Sequence, residues 1–116
     1  MRNEEYHMQV QFVNWLRHKY PNLIFTIAPS GMKLPIGVAK KMKAMGYKAG
    51  TPDIMIFQPS NDYFGMFVEL KTRKGRVTEQ QKDLIIKLNQ RGYYATVCRS
   101  VEEAKQEVHN YFLFRG

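Results

Sequence analysis

The chain has 116 residues, of which 44% are hydrophobic, with one cysteine and a net charge of +8 at pH 7. This length predicts one domain over residues 1–116, large enough to bury a core. The lone cysteine, Cys98, excludes an internal disulfide framework and a multi-cysteine zinc site. No apolar run approaches the roughly 18 residues of a membrane span, and the N-terminus lacks the apolar segment of a signal peptide. We therefore expect a soluble, cytoplasmic protein.

The positive charge is unevenly distributed along the chain. Between Tyr6 and Pro52 there is no Asp or Glu, whereas that window contains Arg17, Lys19, Lys33, Lys40, Lys41, Lys43 and Lys48. Such segregation is typical of a surface that faces phosphates, and equally of a solvated face with lysines at helix ends. Composition alone leaves both interpretations open.

The first predicted element is a helix from about Asn3 to Tyr20, because Pro21 cannot continue it. Its apolar stripe consists of Phe12, Trp15 and Leu16. Extending this stripe back by one and two turns gives Gln9 and Glu5, which are four residues apart and share a face. An amide and a carboxylate are therefore expected at the solvent end of a core-facing stripe.

The following segment predicts a strand, a loop, a short helix and a second strand. The strand is "NLIFTIA" (22–28), the loop "PSGMKLPIG" (29–37), and the basic helix "VAKKMKAMG" ends at Gly46. A turn through Gly50, Thr51 and Pro52 then leads into the strand "DIMIF" (53–57).

This strand and the next, "MFVELK" (66–71), should form a hairpin, because only a short, turn-rich loop separates them. A symmetric hairpin centred on Asn61 or Asp62 places Asp53 opposite Glu69 or Lys71. Either register brings the three charged side chains together.

Alternation along the second strand separates a charged face from an apolar one. Glu69 and Lys71 share a face with Phe67, because strand side chains alternate with a period of two. The opposite face is wholly apolar and comprises Ile54, Ile56, Val68 and Leu70. We therefore expect the charged cluster on one side of the sheet and the core on the other.

The last third of the chain predicts a basic loop, "TRKGRV" (72–77), followed by a helix, a strand and a helix. Thr78 should cap the first helix, which runs to about Arg91, and "YYATVC" (93–98) forms the strand. Ser100 should cap the last helix, with Glu103 completing a capping box. The order α, β, α, β, β, α, β, α predicts an α/β fold with a mixed central sheet flanked by helices.

Two carboxylates on adjacent strands provide the oxygen ligands that Mg²⁺ prefers, and this cation also accepts water and phosphate oxygens. Asp53 and Glu69 are placed to do this, and Lys71 could orient an attacking water or stabilise the transition state. Taken alone, Glu-x-Lys more often forms an ion pair at the end of a strand. The Pro-Asp pair, the hairpin and the basic surroundings together favour the metal site.

These residues also resemble a known family. "TPD" at Thr51–Asp53 followed by "ELK" at Glu69–Lys71 matches the PD-(D/E)XK nuclease signature, and the wider spacing resembles the VRR-NUC family of that superfamily. The resemblance covers nearly the whole chain. The residues that carry it are Glu5, Gln9, Gly46, Gly50, Pro52, Asp53, Glu69, Lys71 and Gln81.

The resemblance implies a role for each site residue. Asp53 and Glu69 would bind Mg²⁺ or Mn²⁺ with the main-chain carbonyl of Leu70, and Lys71 would act on the nucleophile. Gln81 would support the site, and Glu5 would add a carboxylate near the metal. Two of these residues have structural alternatives. Glu5 suits the first turn of a helix, and Gln81 follows Thr78 at capping-box spacing.

The resemblance further implies a phage-type, stand-alone DNA endonuclease similar to Holliday junction resolvases. We expect a homodimer that cuts branched DNA, its subunits meeting at "YFLF" (111–114), because a final helix needs only one apolar face for its own core. The alternatives are a catalytically silent nucleic-acid-binding module and a nuclease acting on flaps, ends or duplex DNA. The expected DNA contacts are Lys33, Lys40, Lys41, Lys43, Lys48, Arg73, Lys74, Arg76 and Ser30.

Overall fold

The computed structural model describes residues 3–29 and 32–113, and this part of the chain follows the predicted element order. Its elements are α1 (Asn3–Lys19), β1 (Phe25–Ile27), α2 (Ile36–Met45), β2 (Ile54–Ile56), β3 (Met66–Leu70), α3 (Glu79–Gln90), β4 (Tyr94–Cys98) and α4 (Val101–Leu113). The predicted α/β architecture is confirmed. None of the helices in these two ranges is long and apolar enough to cross a membrane.

The sheet is mixed, with the strands in the order β1-β2-β3-β4. β2 is antiparallel to both β1 and β3, whereas β3 and β4 are parallel and are connected through α3. The carboxyl ends of β3 and β4 therefore lie at the same edge of the sheet as the amino end of β2. This edge is the one that carries the predicted site.

The register of the β2–β3 hairpin decides between the two predicted pairings. Ile54 pairs with Val68 and Ile56 with Met66, so the hairpin is centred on Asn61. Asn61 has a positive φ of 56°, a conformation that asparagine tolerates better than most residues. The register, continued by one residue, places Asp53 opposite Glu69.

The core lies on the apolar face of the hairpin, as predicted. Ile54, Ile56, Val68 and Leu70 are all buried there. Phe12 and Leu16 of α1 pack against this face together with side chains of α4, so these two helices cover one side of the sheet. α3 packs against β4 and reaches the charged face through Gln81, which contacts Glu69.

Thr78 and Ser100 cap α3 and α4 as predicted, but at α4 the carboxylate of Glu103 has a different partner from the one expected. Thr78 and Gln81 make the full reciprocal capping box of α3. At α4, the Ser100 hydroxyl accepts the backbone N–H of Glu103, as expected. The Glu103 carboxylate, however, accepts the backbone N–H of Arg99, 3.4 Å away. The side chain of Glu103 thus fixes the end of β4 at the start of α4.

The C-terminal "YFLF" segment contributes more to the chain's own core than its composition suggests. Tyr111 is buried and stacks on Tyr94, and Phe112 packs on Tyr20. Leu113 is 61% exposed, and Phe114 lies outside the described residues. Aromatic packing between α4, β4 and the residue that follows α1 therefore uses side chains that the sequence interpretation assigned to a partner.

α2 is the element with the least support from the rest of the chain. None of its residues is buried, and no other helix or strand of the described ranges packs against it. A helix of ten residues is marginal in water unless something packs against it. Its exposed surface is therefore available to a binding partner.

Candidate active site

Asp53, Glu69 and Lys71 meet at the sheet edge, each nearly withdrawn from solvent. Their exposed fractions are 4%, 2% and 9%. The backbone N–H of Leu70 donates to Asp53 Oδ2 at 2.8 Å, and Lys71 Nζ lies 3.5 Å from Glu69 Oε2. Burying charges is costly unless they are paired or bound to a ligand. When all three groups are ionised, two carboxylates with one ammonium carry a net negative charge.

Gln81 makes both the hydrogen bonds of a capping box and a hydrogen bond to Glu69. Its Oε1 accepts the backbone N–H of Thr78 at 2.9 Å, and its own N–H donates to the Thr78 hydroxyl at 3.1 Å. Its Nε2 donates to Glu69 Oε2 at 3.2 Å. The capping box therefore fixes the amide that orients Glu69.

α1 brings Glu5 toward the same edge. The charge of Glu5 is close enough to Asp53 to raise the pKa of that carboxyl. Glu5 also lies in the first turn of α1, where a carboxylate favours the helix dipole. The Oε1 atom of Gln9 is buried and accepts no hydrogen bond from any described residue. Of the predicted helical pair, Glu5 is therefore the side chain whose charge reaches the cluster.

Burial dominates the electrostatics of the two carboxyls. It raises the pKa of Asp53 to about 6, against the opposing effects of the Leu70 N–H and the Lys71 charge. Burial and the neighbouring Asp53 charge together raise the pKa of Glu69 to about 8. Two like charges this close do not ionise independently, so the pair retains a proton near neutral pH when no metal is bound.

The donor set fits a hard divalent cation. Glu69 Oε1 is buried and accepts no hydrogen bond from the part of the chain that the structure describes. No group of three or more His, Cys, Asp or Glu side chains within residues 3–29 and 32–113 is placed to hold a metal. A pair of carboxylates suits Mg²⁺, which keeps several waters and takes phosphate oxygens from its substrate.

The raised pKa values predict the pH dependence of stability without metal. Because both carboxyls bind protons more tightly when folded, the free energy of unfolding should fall as the pH rises from about 5 to about 8. Glu69→Gln should remove most of the fall above about pH 6, since an amide does not ionise. Urea denaturation in EDTA across this range measures both profiles.

The exposed Glu102 at the start of α4 provides a matched control for that experiment. Glu102→Gln removes one carboxylate without touching the site, and its pH profile should parallel that of the wild type. Parallel profiles for the wild type and Glu69→Gln would contradict the assignment of a raised pKa to Glu69.

The expected DNA contacts divide into two exposed groups. Lys33, Lys40, Lys41, Lys43 and Lys48 lie in and around α2, whereas Arg73, Lys74 and Arg76 follow directly after Lys71. The second group is adjacent to the site along the chain, and Lys48 lies in the turn that leads into Asp53. Ser30 lies outside the described residues.

Two contributions to the site were not predicted. The backbone of Gly50 packs against the backbone of Gln80 and Gln81 at the start of α3. Arg99 donates to carbonyls of the turn that follows Lys71. The parallel pairing of Leu70 with Cys98 brings Arg99 beside Lys71. A prediction that β3 and β4 pair in parallel would have indicated that Arg99 lies beside Lys71.

Comparison with known proteins agrees with this geometry. The profile of the VRR-NUC domain matches residues 2–102. A solved structure described as a "VRR_NUC domain protein" superposes with a TM-score of 0.81 at 25% sequence identity, covering 99% of this chain and 93% of the other. None of the curated proteins compared with the chain matched it. The chain therefore belongs to the VRR-NUC family of PD-(D/E)XK nucleases.

Proposed function

We propose that the protein is a metal-dependent DNA endonuclease that hydrolyses phosphodiester bonds. The observation that carries the proposal is the buried cluster of Asp53, Glu69 and Lys71, in which one carboxylate oxygen has no hydrogen-bond partner among the described residues. A purely structural ion pair does not require a second buried carboxylate beside it. Membership of a nuclease family supports the same reaction class.

Asp53, Glu69 and the main-chain carbonyl of Leu70 would hold Mg²⁺ or Mn²⁺. When bound, such an ion supplies a Lewis acid that neutralises charge on the phosphate and lowers the pKa of an attacking water. The Leu70 N–H holds Asp53 in place, and Gln81 holds Glu69. The chain itself therefore fixes the orientation of both carboxylates.

Lys71 supplies the positive charge of the site. Its ammonium contacts Glu69 and retains donors that could orient the attacking water or stabilise charge on the phosphate in the transition state. Because the side chain is largely withdrawn from solvent, its electrostatic interactions are stronger than they would be in water. Glu5 would act as a further carboxylate that binds water near the metal.

The lysines of α2 provide a test of the DNA-facing surface. Replacing Lys40, Lys41 and Lys43 together with Ala should weaken binding similarly for all DNA sequences, because phosphate contacts carry no base information. The slope of log K against log salt concentration should decrease by up to about three. Fluorescence anisotropy over a salt series measures both quantities.

Three lysines of α3 and α4 make the matched control. Lys82 and Lys87 are exposed and Lys105 is half-buried over the Trp15 ring, and each of the three pairs with a carboxylate of its own helix. The corresponding triple alanine variant removes the same charge and should leave the salt slope nearly unchanged. Equal slopes for the wild type and the α2 variant would assign the α2 lysines to solvation alone.

We further propose that two copies assemble through α2. Val38, Met42 and Met45 recur at helical spacing on one side of this helix, and Met45 is 85% exposed. Lys40 and Lys43 lie on the opposite side, where they would remain free for DNA. Twofold symmetry brings an apolar stripe against its own copy, which suits a helix that no other described helix or strand packs against.

A dimer places two sites at a fixed separation, which suits paired nicks in four-way junctions. With Mg²⁺ or Mn²⁺, we expect cleavage of junctions in preference to linear duplex, flaps and ends, and none in EDTA. A panel of these DNAs tests the activity, and light scattering at micromolar concentration tests the dimer. Equal cutting of linear and branched DNA would remove the junction preference alone, whereas DNA binding without cleavage would support a silent module.

Three variants locate the interface. Met45→Glu should dissociate the dimer without unfolding the chain, because this side chain is already exposed. Leu113→Glu tests the alternative that the C-terminal segment mediates assembly, and Ile86→Glu on α3 is the control. A Met45→Glu protein that remains dimeric would exclude α2 as the contact.

A further inference from the structure

The turn directly after Lys71 carries three exposed cationic side chains, and few packed side chains or backbone hydrogen bonds hold it in place. Thr72 is buried, but Arg73, Lys74 and Arg76 extend into solvent. Within the turn, the Gly75 N–H donates to the Thr72 carbonyl at 3.1 Å. A segment with so few packed side chains would open readily unless another element held it.

Arg99 holds this turn from the neighbouring strand. Its Nη1 atom donates to the carbonyl of Gly75 at 2.7 Å and to that of Thr72 at 2.9 Å. The carbonyl of Arg73 lies slightly farther from the same nitrogen, at 3.4 Å. A single guanidinium nitrogen therefore lies within hydrogen-bonding distance of three carbonyl oxygens of one turn. Charge-assisted hydrogen bonds of this kind are stronger than neutral ones.

Both groups of the peptide that joins Cys98 to Arg99 are hydrogen-bonded. The Cys98 carbonyl accepts the backbone N–H of Lys71 at 2.9 Å. The Arg99 N–H donates to the carboxylate of Glu103 in α4 at 3.4 Å. The end of β4 is therefore fixed against β3 and α4, and Arg99 transfers that rigidity to the turn.

We propose that Arg99 is a positioning residue that fixes the turn at residues 72–75, so that Arg73 and Lys74 are presented to the DNA strand beside Lys71. The inference rests on the proposed nuclease function. Nη1 of Arg99 is occupied by carbonyls, so the residue acts on DNA through the turn. Lys71 keeps its own backbone hydrogen bond to Cys98, so the loss of Arg99 affects binding of the strand more than the chemical step.

The first test measures the turn itself and requires no DNA. In Arg99→Met, hydrogen exchange of the amides in residues 72–76 should accelerate, and trypsin should cut faster after Arg73 and Lys74. Arg91→Met is the control, because it removes the same charge from an exposed residue at the end of α3. Unchanged protection of the turn in Arg99→Met would overturn the proposal.

The second test separates positioning from direct contact with phosphate. Arg99→Met should raise the Kd for DNA about three- to tenfold. It should also raise KM by a larger factor than the factor by which it lowers kcat. In a background of Arg73→Met with Lys74→Met, the same change should cost less than about twofold, because the cations that Arg99 positions are absent. Independent, additive effects would show that Arg99 binds DNA directly.

Arg99→Lys keeps the positive charge and provides the test if Arg99→Met does not fold. A lysine lacks the extended guanidinium, so Arg99→Lys should still release the turn and weaken binding. Full affinity in this variant would show that charge alone matters and would overturn the proposal. If the wild type neither binds nor cuts DNA, the proposed function fails, and hydrogen exchange still decides whether Arg99 holds the turn.

Discussion

Asp53→Asn and Glu69→Gln should each abolish DNA cleavage in Mg²⁺ while leaving the fold and DNA binding largely intact. Both changes keep the shape of the side chain and an oxygen for the existing hydrogen bond from Leu70 or Gln81. Each substitution removes one of the two carboxylates that would bind the divalent cation. We expect activity to fall by at least about 10²–10³-fold, comparable to removing a principal source of transition-state stabilisation.

The measurement is single-turnover cleavage of labelled DNA, with anisotropy for binding and thermal melting for the fold. Asp62→Asn is the matched control, because it neutralises an exposed carboxylate in the loop of the same hairpin. Its activity should equal that of the wild type. Cleavage by the wild type in EDTA, or undiminished cleavage by both amide variants, would refute the metal-dependent mechanism.

Gly50→Ala should damage both stability and cleavage, although Gly50 carries no chemistry. Its φ of +87° lies in the left-handed region, where a side chain is strained. A Cβ at this position would lie 2.8 Å from the Gln80 carbonyl oxygen and 3.1 Å from the Gln81 nitrogen. Backbone at the start of α3 would have to move, and Gln81 would move with it, away from Glu69.

Gly46→Ala is a control that has the backbone strain of a positive φ without the steric clash against α3. Gly46 also has a positive φ, of 114°, but nothing lies within 4 Å of an added Cβ. Gly50→Ala should therefore destabilise the fold by roughly 1–3 kcal/mol more than Gly46→Ala, the usual cost of overpacking. Urea denaturation measures this difference, and cleavage at matched folded fractions measures the effect on the site. Equal losses in the two variants would show that the contact with α3 has no role.

The charged cluster was predictable because it depends on short-range rules. The loop between β2 and β3 is short enough to force an antiparallel hairpin, and the period of two decides which side chains share a face. These rules place Asp53, Glu69 and Lys71 together whether the hairpin is centred on Asn61 or on Asp62. The structure selects the register centred on Asn61.

Contacts between elements distant in sequence were not predictable in the same way. The sequence indicated Thr78 and Gln81 as a capping box, but the approach of Gln81 to Glu69 requires α3 to pack on the charged face. The same placement brings the start of α3 against Gly50. Arg99 reaches the turn after Lys71 only because β4 lies parallel beside β3.

The sequence by itself determined the element order, the hydroxyl caps of α3 and α4 and the side chains that form the charged cluster. These features follow from periodicity, turn residues and loop length, all of which act within a few residues. Tertiary structure alone decided which aromatic side chains of the C-terminal segment enter the core and that no other helix or strand within residues 3–29 and 32–113 packs against α2. It also decided the support of the site by Gln81, Gly50 and Arg99. The physical reason is that burial and long-range hydrogen bonds depend on how whole elements pack, which no local pattern encodes.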